Sequence, residues 1–103
     1  MSAILDDEGF LLRLEDWNPQ VAAEIASLAG VTLTPAHWEV LEEARAFYAE
    51  FGLSPINRVL VKRIALRFGT EKGNSIYLLG LFPNGPAKLV SKIAGLPKPD
   101  NCL

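Results

Sequence analysis

The residue best suited to chemistry is Cys102, the only cysteine of 103 and the last residue but one. A lone thiol has no internal disulfide partner, and with only one histidine beside it the chain cannot furnish a protein-only zinc site. What remains is nucleophilic or sulfur-accepting chemistry. The thiolate is the reactive form, and an ordinary cysteine with a pKa of about 8.5 is only a few per cent ionised at neutral pH. Asp100 and the carboxylate of Leu103 flank Cys102 and disfavour ionisation further. The sequence therefore predicts a thiol that is quiet alone and activated on docking. Lys98 is the nearest cation along the chain; Arg58, Lys62 and Arg63 are further candidates to contact the terminal segment or an acidic partner. Arg67 reads more simply as a rim residue paired with a carboxylate.

The elements that must position the thiol begin with its own segment. Pro97 and Pro99 fix φ near −65° and remove two backbone donors, so residues 96–103 can neither finish a helix nor sit in a central strand. They read as an extended arm projecting from the body. On the residues alone, a presented thiol and an incidental terminal cysteine fit equally well.

Behind the arm, Asn18-Pro19 and Thr34-Pro35 each read as an N-cap followed by proline at the first helical position. The apolar stripes that follow stop at Gly30 and Gly52, with Trp38, Leu41, Ala44, Tyr48 and Phe51 marking the second helix. Ser54-Pro55 opens a third helix to about Phe68, so apolar that it reads as the most buried one. Asn74 caps a short fourth helix, and a fifth runs from the Pro83-Asn84-Gly85-Pro86 turn to about Ala94, with Gly95 as a hinge before the arm. Before the helices, Ala3 to Leu12 place apolar residues on both sides of an acidic cluster ending in Gly9, which suits a small β-hairpin. The expected fold is a mostly α single domain over residues 1–103: a hairpin, about five helices and an arm. Trp17 and Trp38 read as core anchors, Glu39, Glu42, Glu43 and Glu50 as a solvated face, and His37 as a surface or capping residue.

Several of these residues carry a resemblance. Lys92-Ile93-Ala94-Gly95-Leu96-Pro97-Lys98-Pro99, followed by Cys102 in the penultimate place, is similar to the C-terminal signature of the DsrC/TusE sulfur-relay family, and Asp7 to Leu11, Leu14 to Trp17 and Gly80 to Pro86 extend the likeness over nearly the whole chain. The resemblance implies a sulfurtransferase-type carrier that holds sulfane sulfur on Cys102 as a persulfide and acts with partner proteins, without a cofactor. The implied partners are an upstream sulfur-donor complex and a downstream tRNA thiouridylase or sulfite-reductase-like acceptor. Members serving dissimilatory sulfur metabolism have a second cysteine where this chain has Ser91, so the resemblance favours the single-cysteine relay toward 2-thiouridine in tRNA. A second departure is Asp100-Asn101, in place of a small or glycine-containing pair.

Composition sets outer limits. With 50% hydrophobic and 21% charged residues and a net charge of −2, the chain is ordinary for a globular domain and has no overall attraction to nucleic acid or an anionic membrane. No apolar run has the length of a bilayer span, and no basic region precedes an apolar one at the N-terminus, which reads as cytoplasmic. The competing class is a helix-turn-helix regulator using the basic third helix, with no account of the arm.

Overall fold

Proline in the first turn, preceded by a cap residue, starts three of the five helices: α1 (Pro19–Leu28) after Asn18, α2 (Pro35–Phe51) after Thr34, and α5 (Pro86–Ile93) after Gly85. The structure is a computed structural model and describes residues 4–99. The Asn18 side chain accepts the Val21 N–H at 2.8 Å, and Asn74 does the same for Tyr77 at the start of α4 (Ser75–Leu81). Gly85 has no side chain to offer, and Asn57, at the start of α3 (Asn57–Phe68), accepts the Ala87 N–H at 2.7 Å in its place. α3 thereby caps α5.

The core lies where the five apolar stripes meet: Val21, Ala22 and Ile25 of α1, Val40, Leu41 and Ala44 of α2, Leu60 and Ile64 of α3, Leu78 of α4, and Val90 and Ile93 of α5, with Phe82 closing the α4 end. The central helix is α5, which touches each of the other four. The expectation that α3 is the most buried helix is corrected by its packing: only Leu60 and Ile64 are buried, and Leu66 is exposed. α3 also starts later than Ser54-Pro55 suggests, because the Ser54 hydroxyl donates to the Pro97 carbonyl at 2.5 Å instead of capping a helix.

The expected N-terminal β-hairpin is not formed. Among the described residues there is no strand, only an isolated antiparallel bridge between Leu5 and Leu11. Asp6 explains why: its Oδ1 accepts the N–H groups of Glu8 and Phe10, both at 2.9 Å, closing a tight loop on itself through Gly9 at φ 90°. Two main-chain bonds flank the bridge, Asp6 N–H to Phe10 O at 2.7 Å and Leu12 N–H to Ile4 O at 3.0 Å, and the chain then enters a single 3₁₀ turn at Leu14–Asp16, so the pairing stops short of a ladder. The acidic face expected on α2 is corrected as well, since Glu43 is buried and accepts from Arg63 at 3.1 Å and Arg67 at 2.6 Å.

Candidate functional site

The segment that leads to Cys102 leaves the body at the end of α5, and every carbonyl there has a donor. Ala94 N–H goes to Val90 O at 2.8 Å, Leu96 N–H to Ser91 O at 2.9 Å and Gly95 N–H to Lys92 O at 3.2 Å. The last two bonds, with Gly95 at φ 75°, are the Schellman arrangement that stops a helix and turns the chain. Trp17 Nε1–H donates to Ile93 O at 2.9 Å, and Arg45 Nη1 donates to Ala94 O at 2.6 Å. The Arg45 guanidinium also lies 3.9 Å from the centroid of the Trp17 ring, a stacked cation at the negative end of the α5 dipole. Partial burial lowers the Arg45 pKa from its ordinary value. A Cβ on Gly95 would run into the Trp17 side chain, so this turn is clamped and not a free hinge.

The expectation of an arm projecting from Leu96 onward is revised by its first residues. Leu96 is 2% exposed and packs in the core, because the Schellman turn points the residue after Gly95 back onto α5. Pro97 is held by Ser54, Lys98 pairs with Glu8 at 3.1 Å, and Pro99 is buried. Beside this stretch a groove of about 270 Å³ is lined by Tyr48, Leu53, Ile56, Pro97 and Lys98 among others. Cys102 lies outside the described residues.

The basic candidates divide. Arg63 is engaged by Glu43 and, at 3.8 Å, by Glu50, as Arg67 is by Glu43, whose hydrogen bond raises the Arg67 pKa. Arg58 and Lys62 are exposed on the other side of α3. Thus Lys98 sits at the arm, Arg63 is a structural partner, and Arg58 and Lys62 face outward. His37 is buried: its Nδ1 accepts the Thr34 N–H at 3.1 Å and its Nε2 lies 3.0 Å from Leu81 O, so it caps α2 and ties α4 to it. Ser91 is 0% exposed, and its hydroxyl has no hydrogen-bond partner among the described residues.

With this arrangement established, comparison with known proteins is direct. The family model described as "DsrC like protein" matches residues 1–103. The chain belongs to the DsrC-like family. It is 54% identical over 98 residues to "Sulfurtransferase TusE" of Sodalis glossinidius (strain morsitans), covering 95% of this chain and 91% of that one. Its fold is similar to the NMR structure of Allochromatium vinosum DsrC, with a TM-score of 0.88, 42% identity, and 99% and 98% of the two chains covered. It is likewise similar to the oxidized gamma-subunit of the dissimilatory sulfite reductase (DsrC) from Archaeoglobus fulgidus, with a TM-score of 0.84, 35% identity, and 98% and 92% covered. Among the described residues no helix is long and apolar enough to cross a membrane.

Sequence reasoning missed Arg45 and Ser54; Trp17, expected as a core anchor, packs against the core half-buried and also acts through its indole N–H. Arg45 carried a signal: it stands four residues after Leu41 and three before Tyr48, a cation inside the apolar stripe of α2. Ser54 carried none, because its partner is 43 residues away.

Proposed function

We propose that this chain is a single-cysteine sulfur carrier. Its Cys102 accepts sulfane sulfur from an upstream sulfur-donor complex and passes it to a tRNA thiouridylase, in the relay that makes 2-thiouridine in cytoplasmic tRNA. The observation that carries this reading is the identity to TusE across 95% of the chain, joined to a single penultimate thiol. The clamped end of α5 supports it, because a fixed exit from the body lets a short segment present one thiol to successive partners. Two residues lie between Pro99 and Cys102, so three Cα–Cα steps tether the Cα of Cys102 within about 11 Å of that of Pro99.

The transfer needs no oxidant. The Cys102 thiolate attacks the outer sulfur of the donor's persulfide; a new S–S bond forms on Cys102, the donor's S–S bond breaks, and its electron pair leaves with the donor thiolate. Delivery runs the same exchange in the other direction. Ser91 weighs against the two-thiol cycle of sulfite-reductase partners, since a hydroxyl cannot take part in thiol–disulfide exchange.

Intact mass after incubation with a low-molecular-weight persulfide, with and without reductant, tests the reading. The expected result is a reductant-labile gain of about 32 Da per sulfur atom, abolished by Cys102→Ser. An unmodified wild type, both with this reagent and beside an active donor complex, would sink it.

A further inference from the structure

Three concavities adjoin along one side of the molecule. The groove at Pro97 has Ile56 in its wall, and Ile56 also lines a second concavity, of about 340 Å³, together with Arg58. That one shares Val61 and Ser75 with a third, of about 210 Å³, which ends on Leu79 and Pro86. The result is a track from the root of the arm, across the first turns of α3, to the junction of α4 and α5. Its floor is largely apolar. Among the described residues no carboxylate lines it: the charged ones along it are Lys98 and Arg58, on a chain whose net charge is −2.

Lys98 is paired with Glu8. Arg58 and, one turn on, Lys62 are exposed, and neither has a carboxylate within 4.0 Å among the described residues. A solvated helix rim with carboxylates in reach pairs its cations, as Arg63 and Arg67 do with Glu43; Arg58, which lines the track, and Lys62, one turn further along α3, are left for another molecule. Ile76, 84% exposed beside Ser75, adds an uncovered apolar side chain at the same rim.

We propose that this track is the docking surface for an acidic segment of a partner protein, which sets spaced apolar side chains on the floor and aspartate or glutamate against Arg58 and Lys62. That the partner is the one exchanging sulfur with Cys102 rests on the carrier reading: the track begins at the root of the segment bearing the thiol, so a partner seated there brings its own site within reach. An apolar floor with two unpaired cations fits a polypeptide better than a nucleic acid, whose affinity comes from many phosphate contacts. A second copy of this chain, which carries exposed glutamates such as Glu24 and Glu42, is distinguished from a partner by the test below.

The test is an NMR titration of the ¹⁵N-labelled full chain with a helical peptide of about 14 residues, with leucines at three- and four-residue spacing between glutamates, and with its counterpart carrying lysine for every glutamate. The acidic peptide is expected to shift the amides of residues 56–62 and 75–79 and to bind less tightly at high salt. Arg58→Glu with Lys62→Glu, both exposed and therefore tolerated by the fold, should weaken it about tenfold. Equal binding of the lysine peptide, shifts elsewhere, no binding of either peptide, or tighter binding of oligouridine at the same amides would each overturn the proposal. Concentration-dependent shifts of those amides in the protein alone would assign the track to a second copy and overturn it too. The failures of the two readings are separable. If the acidic peptide binds the track while Cys102 never takes up sulfur, the surface stands and the carrier reading falls; uptake without binding gives the reverse.

Discussion

A hydroxyl sealed into a core without a partner costs its desolvation with nothing returned, and among the described residues Ser91 is in that position. Ser91→Ala removes the unmatched oxygen and leaves only a small void, so we expect a gain of about 1 kcal/mol, read as a higher urea midpoint at unchanged slope. A loss of similar size would mean that the hydroxyl is bonded after all. Arg45 is the opposite case, a cation whose hydrogen bond and ring contact are both made. Arg45→Met keeps the apolar stem and should cost about 1–2 kcal/mol. A double-mutant cycle with Trp17→Phe should give a coupling of about 0.5–1 kcal/mol; strictly additive effects would show that the guanidinium gains nothing from the indole. At this scale the sequence was legible where chemistry is local. Ser91 could be marked as a serine in a cysteine's place, but its burial depends on four other helices.

Among the elements, those defined by their own residues were read correctly from sequence and those defined by a distant partner were not. Asn18 and Asn74 cap helices by accepting an N–H three residues on, Thr34 marks one by giving its own N–H to the His37 ring, and all three starts appear where the sequence put them. The hairpin stops at one bridge because the Asp6 side chain takes the Phe10 N–H and the chain turns off at Leu14, and α3 was overrated because apolar content does not say which faces find neighbours. The turn after α5 offers a controlled test. Gly30 and Gly95 have nearly the same φ, 79° and 75°, but a Cβ on Gly30 meets open space whereas one on Gly95 meets Trp17. Gly30→Ala should cost about 1 kcal/mol from backbone strain alone. Gly95→Ala should cost about 3 kcal/mol or more, and Trp17→Ala in that background should recover part of the difference. Equal costs at the two sites would show that Trp17 yields freely.

For the whole molecule, the question is where the body ends. Proline content marked residues 96–103 as one arm, but that pattern reports backbone propensity and is blind to Leu96, whose side chain fills the core behind the Schellman turn. Cutting the chain before Leu96 therefore removes a buried leucine together with the contacts of Pro97 and Pro99. Losing a core leucine alone costs about 2–5 kcal/mol, which in a domain of 103 residues corresponds to a fall in Tm of at least about 8 °C. Cutting after Pro99 keeps Leu96 in place while still deleting Cys102, so it should cost less stability and yet abolish sulfur uptake as completely as the longer cut. Thermal unfolding and intact mass on the two truncations separate anchoring from chemistry. If the two melt alike, Leu96 contributes nothing to the body, and the body then ends at α5.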